Sequence, residues 1–326
     1  MIVDTHAHVV PTQMLEALRA ERRLFPSVKV VTDGPATRLG FAGGALTRPV
    51  APRLSDMAQR KTWLAAQGID CQVAGGWNDV YGYELPPEEG ADWARFMNET
   101  MLAAGKDLPA VKPLATVPLQ SGRLAARVLE EALAQGFPGV MIGTQPHGSH
   151  GALDDPDLEP FWEAASAKKA TVFLHPMYVC GDERLNGFDL VNAVGRAADT
   201  IVAMGRLIYA GHLQRHSGMN LVISHGGGGL PYLLGRLQRN NAIHPGEYAD
   251  ALDGFRRLYF DTVLFDPRAL RFLCDCAGAQ KVMLGSDHPF PIGDDSPVKI
   301  VDNTPLTSAE RRMILGDTAV RLFGLG

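Results

Sequence analysis

The chain has 326 residues, 46% hydrophobic and 21% charged, which is ample for a sizeable core and rules out a disordered chain. Its 31 Lys+Arg against 36 Asp+Glu give a net charge of −5 with no basic stripe, so nucleic acid and anionic membranes are poor partners. Four cysteines are too few for a disulfide scaffold, Met1-Ile2-Val3-Asp4-Thr5-His6 shows no signal-peptide pattern, and no apolar run could span a bilayer; a cytoplasmic protein is expected.

In chain order, short apolar runs predict strands over Ile2–Asp4, Ile69–Ala74, Val111–Thr116, Gly139–Ile142, Thr171–Leu174, Leu221–Ser224, Leu258–Asp261 and Lys281–Gly285. Most are aliphatic or β-branched, as in strands buried on both faces of a parallel sheet. Helical patterns separate them: Arg53–Gln67, Asp92–Lys106, Arg123–Gln135, Glu159–Lys168, Leu190–Ala210, Leu230–Asn240, Pro267–Ala277 and Ala309–Phe323. Thr307 with Glu310 three residues on makes a capping box at the start of the last one. The alternation predicts a (β/α)8 TIM barrel, one domain over residues 1–326 with a C-terminal helical extension. An open doubly wound sheet is the alternative, but no G-x-G-x-x-G follows the first strand. Residues 12–52, with Gly34, Pro35, Gly40, Gly43 and Gly44, read as an irregular insertion or lid, and Gln145–Asp157 as a second long loop.

Chemistry-bearing residues fall at strand ends. His6 and His8 are two apart, so in a strand they point the same way and can share one metal ion. His175 follows the fifth strand, His225 the sixth and Asp287 the eighth. In a barrel these are the positions that build the site. His6, His8, His175 and Asp287 would supply three nitrogens and one oxygen to a divalent ion, leaving His225 as acid or base. No lysine ends the fourth strand, Met141-Ile142-Gly143-Thr144, so a single ion is expected, zinc first and manganese as the alternative. Gly226–Gly229 would let the backbone approach a ligand at the start of the following helix. Arg48 and Arg236 are candidate carboxylate partners. Trp77, Tyr81 and Tyr83 either line a pocket or fill the barrel mouth. Cys274-Asp275-Cys276 reads as thiols on a helix, not a metal clip, and Cys180 lies in the loop beyond His175. Of the other histidines, His147, His150, His212, His216 and His244 read as solvated or locally hydrogen-bonded, while His288 could share the cavity of Asp287.

Asp4-Thr5-His6-Ala7-His8, Phe173-Leu174-His175-Pro176, Ser224-His225-Gly226-Gly227-Gly228 and Leu284-Gly285-Ser286-Asp287-His288-Pro289-Phe290-Pro291 resemble the amidohydrolase-related (amidohydrolase 2) decarboxylases. Within that family the likeness is nearest to the aminocarboxymuconate-semialdehyde type, and it extends through Gly136–Val140, Gly235-Arg236 and Leu322–Leu325. The resemblance implies a zinc-type ion on His6, His8, His175 and Asp287 and catalysis by His225. It implies a substrate-carboxylate arginine at Arg48, and a second at Arg236 that reaches into the neighbouring subunit of a homodimer. A site tryptophan of the family falls on Asn192, Met177 follows His175-Pro176, and Gly75–Tyr83 departs from the pattern, so the pocket wall differs while the metal positions stand.

The expected activity is metal-dependent, non-oxidative decarboxylation of a small hydroxy- or amino-substituted unsaturated or aromatic carboxylate. Aminocarboxymuconate semialdehyde, dihydroxybenzoates and hydroxypicolinates are examples. Two routes fit. Water activated with the help of His225 adds to the substrate before carbon dioxide leaves, or the substrate chelates the ion directly and His225 or Asp287 protonates the carbon. A hydrolase or hydratase on the same site is the alternative, and a non-catalytic binding barrel a further one.

Overall fold

The computed structural model describes residues 1–21, 25–34 and 36–326; Pro35, one marker of the insertion, lies outside them. The strands are β1 (Val3–Val9), β2 (Val28–Asp33), β3 (Ala36–Phe41), β4 (Cys71–Gly76), β5 (Val111–Pro113), β6 (Val140–Ile142), β7 (Thr171–Leu174), β8 (Asn220–Ile223), β9 (Tyr259–Asp261) and β10 (Val282–Met283). Apart from β2 and β3, all pair in parallel, in a three-stranded sheet β1-β4-β5 and a five-stranded sheet β10-β9-β8-β7-β6. Helices intervene between successive parallel strands, which forces the crossover connections that a parallel sheet needs. The parallel strands are almost wholly buried, which explains their continuous apolar runs.

The predicted alternation of strand and helix holds, but the hydrogen-bonded ladder is not continuous around the strands. At each margin the two sheets meet through one bridge, Ala7 with His288 and Ala115 with Val140. Around them Thr5 N donates to Leu284 O and Met141 N to Ala115 O, both at 2.8 Å. The strands at the margins are short, β5 and β6 having three residues and β10 two, and so leave little length for a ladder.

Three local expectations change. β1 runs to Val9 instead of stopping at Asp4, because its polar residues Asp4, Thr5, His6 and His8 are fully buried and paired by the surrounding structure. The insertion is not irregular: it holds a helix, Thr12–Arg19, and an antiparallel hairpin in the register Val28↔Phe41 to Asp33↔Ala36. The alternation in Val28-Lys29-Val30 was its signal. Leu190–Ala210 is not one regular helix, since a π-helical turn at Val191–Gly195 precedes the α-helix Arg196–Tyr209. The Thr307–Glu310 capping box forms as read. Among the described residues no helix is long and apolar enough to cross a membrane.

Candidate metal centre

β1 carries His6 and His8 inward from the three-stranded sheet, and its register with β4 slips between Asp4 and Ala7, where His6 sits. Such irregularities re-aim side chains next to sites. From the five-stranded sheet, β7 delivers His175, β8 delivers His225 and β10 delivers Asp287. His225 and Asp287 have φ of 53° and 59°, left-handed values that a non-glycine residue holds only when its surroundings impose them.

Asp287 is the hub. Its Oδ1 lies 3.0 Å from His8 Nε2, 3.2 Å from His6 Nε2 and 3.9 Å from His175 Nε2, while Oδ2 lies 3.6 Å from His225 Nε2. Ligand atoms of His6, His175, His225 and Asp287 all fall within 4.8 Å of one another, and His8 Nε2 is 3.3 Å from His6 Nε2. Burial alone would push Asp287 up, but His6 above all, with His225 and His8 beside it, holds it well below the usual carboxylate range.

The tautomers follow from the outer partners. His8 Nδ1 is 3.1 Å from Gly76 O, which can only accept, so the proton is on Nδ1. His6 Nδ1 donates to Asp261 Oδ2 at 2.6 Å. In the neutral rings both Nε2 lone pairs then face each other across 3.3 Å, an arrangement that repels unless a positive charge, a proton or a cation, lies between them. Burial disfavours a charged His6, yet Asp287 and Asp261 outweigh it and raise its pKa to about 10. His175 goes the other way: burial first, then His8, His225 and His6, keep it neutral. Neither ring nitrogen of His175, nor Asp287 Oδ1, has a hydrogen-bond partner among the described residues although all are buried. Unpaired buried polar atoms are costly. Inward lone pairs, orphaned atoms and a demand for positive charge fit a divalent cation with nitrogen and oxygen donors.

Behind the donors lies a layer that the sequence did not reveal. Asp261 also accepts from the backbone N–H groups of His225 and Gly226, each at 2.9 Å, so one carboxylate orients His6 and fixes the turn that carries His225. Asp4 accepts from Ser286 Oγ at 2.6 Å and Gln72 Nε2 at 2.7 Å, and burial still raises its pKa to about 6. Arg60, fully buried, bonds to Gln72 and donates to His8 O at 2.6 Å.

The centre opens into a cavity of about 690 Å³, within the range of small-ligand sites. Of the predicted wall residues, Arg48, Trp77, Asn192 and Phe290 line it, with His175, His225 and Asp287 at its base. Arg236 does not: it is exposed on the helix Leu230–Ile243. Four unpredicted polar residues do, namely Asn78, Asp79, Asp189 and Arg196. Arg196 follows the π-helical turn, donates to Pro176 O at 3.1 Å and Met177 O at 3.3 Å, and has Nη2 4.0 Å from Asp79 Oδ1. Arg48 Nη2 is 3.2 Å from Asp79 Oδ2, and its guanidinium lies over the Trp77 ring at 5.6 Å. Both polar atoms of the Asn78 side chain are buried without a partner among the described residues. The available signal was position, since Asn78 and Asp79 follow a strand and Arg196 is the one cation in Leu190–Ala198.

Other expectations are corrected. Gly226–Gly229 all have positive φ, but they do not line the cavity. A Cβ at Gly226 would come within 2.4 Å of Leu264, and one at Gly228 within 2.8 Å of Ala197 O, so these glycines serve the packing of a left-handed turn. His288 turns away and stacks on Trp63 at 4.1 Å. Tyr81 and Tyr83 are buried outside the cavity lining, and Tyr83 Oη accepts from Gly143 N. Cys71 and Cys274 are buried free thiols, and Cys180 is exposed.

The family model for the amidohydrolases matches residues 3–325. The 2-amino-3-carboxymuconate-6-semialdehyde decarboxylase of Dictyostelium discoideum is 28% identical over 86% of this chain and 80% of its own. Among solved structures, the IDCase of Metarhizium anisopliae superposes with a TM-score of 0.82 at 25% identity, covering 100% of this chain and 97% of its own. The 5-carboxyvanillate decarboxylase LigW of Sphingomonas paucimobilis shares the fold, with a TM-score of 0.80 at 24% identity over 99% and 98% of the two chains.

Proposed function

The chain belongs to the amidohydrolase family, and from that premise we propose a metal-dependent, non-oxidative decarboxylase that acts in the breakdown of aromatic compounds. Its substrate is a small hydroxy- or amino-substituted unsaturated or (hetero)aromatic carboxylate, the class to which the substrates named for the similar decarboxylases belong. One observation carries the reading: four imidazoles converge on Asp287 at the base of a cavity whose wall carries Arg48 and Arg196. A cationic wall above a metal-type donor set suits an acid whose carboxylate is to be held and then lost.

His6, His8, His175 and Asp287 would hold one divalent ion, zinc as the first expectation and manganese as the alternative. When bound, the ion supplies Lewis-acid stabilisation of the negative charge that develops on the substrate. Arg196 and Arg48 orient the acid, and the Asn78 amide offers a donor and an acceptor to a ring substituent. Trp77, Phe290 and Asn192 form the wall against which the ring lies. As the bond to the carboxylate carbon breaks, its electron pair stays on the substrate carbon and a proton must reach that carbon. His225 Nε2, partly exposed to the cavity and fixed through its backbone by Asp261, is the group placed to deliver it. Asp287 stays ionised, so it serves as ligand and charge partner ahead of proton donor.

The two parallel sheets act as one (β/α)8 barrel, and residues 1–326 as a single catalytic domain. A homodimer is supported by large apolar residues left exposed, Phe188 at 95% and Tyr232 at 83%. Tyr232 stands one helical turn from Arg236, so the same face could present that arginine to a neighbouring site.

Carbon dioxide release should be assayed over hydroxybenzoates, hydroxypicolinates and muconate semialdehydes with metal content measured alongside. Release that requires a stoichiometric divalent ion is the expected result. Hydrolysis or hydration of test substrates with no carbon dioxide from any acid overturns the proposal.

A further inference from the structure

Away from the strand-end cavity, His212, His216 and Glu159 come together between two helical segments. The histidines are four apart on the turn that begins at His212, and His216 N donates to His212 O at 2.8 Å, so both rings share one face with centroids 5.5 Å apart. Of the two readings given for them, the solvated one fails, because they are only 2% and 4% exposed. Glu159 opens the helix Glu159–Ala167 opposite, and one turn along it Trp162 sets its ring against His212 at 6.0 Å. None of the three residues lines the cavity below Arg48 and Arg196.

Two details separate this group from an ordinary buried ion pair. His216 Nε2 lies 3.0 Å from Glu159 Oε1, yet the pair lacks hydrogen-bond geometry. Two atoms that close but misaligned do not bond each other, which leaves their lone pairs available to converge on a shared ion. His212 Nδ1 is buried with no partner among the described residues, a loss that nothing nearby compensates. One ligand atom from each residue lies within 4.8 Å of the others. A second cavity of about 230 Å³ reaches His216 and gives a path from solvent. The competing cation is Arg215, whose Nε is 3.7 Å from Glu159 Oε1, but whose half-exposed guanidinium donates through Nη1 to Ala210 O instead of hydrogen-bonding the carboxylate.

We propose that His212, His216 and Glu159 form a second divalent-metal site, separate from the catalytic centre. Two imidazoles and one carboxylate, with water as a fourth ligand, match four-coordinate zinc. The ion joins the His212–Arg215 turn to the helix Glu159–Ala167, two segments that otherwise meet here through a misaligned contact, a ring edge and the long Arg215–Glu159 ion pair. No bond is made or broken beyond coordination, so its role is to fasten the helical layer.

The test is zinc content of the full chain after equilibration with zinc and removal of the excess. The wild type is expected to hold two equivalents and the double variant His212→Gln/His216→Gln one, with carbon dioxide release unchanged. His175→Ala loses the other equivalent, so failure at either site is distinguishable from failure at the other. If the double variant does not fold by circular dichroism, Glu159→Gln, which keeps the side-chain volume, decides: a zinc affinity at least tenfold weaker for one of the two equivalents supports the site. A single equivalent in the wild type that the folded double variant retains, or two undiminished equivalents in that variant, overturns it.

Discussion

Asp261 Oδ2 accepts the Nδ1 proton of His6 at 2.6 Å while the same carboxylate holds the backbone of His225 and Gly226. A donor of the metal centre and the proposed proton donor are thereby set by one residue that touches neither substrate nor the cavity. Asp261→Asn is predicted to weaken metal binding by about 10–100-fold. An amide has one oxygen where the carboxylate uses two, each accepting from two donors, so two of the four donors are also left unpaired. Competition with a chromophoric chelator measures the affinity, and an unchanged value removes Asp261 from this role.

His225 and His175 should part ways on substitution. His225→Asn is predicted to keep a full complement of metal and lose about 10²–10⁴-fold in turnover. His175→Ala should lose the metal with the activity. Full turnover in metal-replete His225→Asn would end the acid–base assignment.

Arg196→Met tests the cationic wall. Loss of one charge-assisted contact to the substrate acid costs about 1.5–3 kcal/mol, or roughly 10–100-fold. The change is expected in KM, with kcat little altered, because the contact is made before and during the reaction. A fall confined to kcat would place Arg196 in the chemistry instead.

His288 gives a pH signature of stability. Burial, followed by Arg60 and Arg53, lowers its pKa from 6.5 to about 3, so the folded chain refuses a proton that the unfolded chain takes up below about pH 6.5. Its contribution is therefore present above pH 6.5 and is lost as the pH falls toward 3. His288→Gln should flatten the decline by up to about 1.4 kcal/mol per pH unit in that window. Parallel Tm-against-pH curves for the two proteins would count against it.

The strand-end positions of His6, His8, His175, His225 and Asp287 could be read from the sequence because short aliphatic runs mark parallel strands and polar residues at their ends stand out. Asp261 stood at a predicted strand end too, but a lone acid there looks like ordinary punctuation until its partners are seen. Arg60 sits on a helix where nothing in the sequence singles it out, and only its long-range bonds to Gln72 and His8 reveal its place. His288 and the glycine run were misjudged for one reason: adjacency to a site in sequence does not fix the direction in which a side chain or turn faces. The hairpin in the insertion was legible in its alternation and was obscured by the surrounding glycines.

The bridge between Ala7 and His288 lies where the two parallel sheets meet, and the donors stand on either side of it. His6 and His8 belong to the three-stranded sheet, whereas His175, His225 and Asp287 belong to the five-stranded one. A ligand gripped by both groups therefore acts as a rivet across the join between the two sheets, and its loss should be felt by the backbone as well as by the chemistry. Amide exchange at Thr5, His8 and Asp287, whose N–H groups cross or flank that join, would then report occupancy of the centre without any substrate.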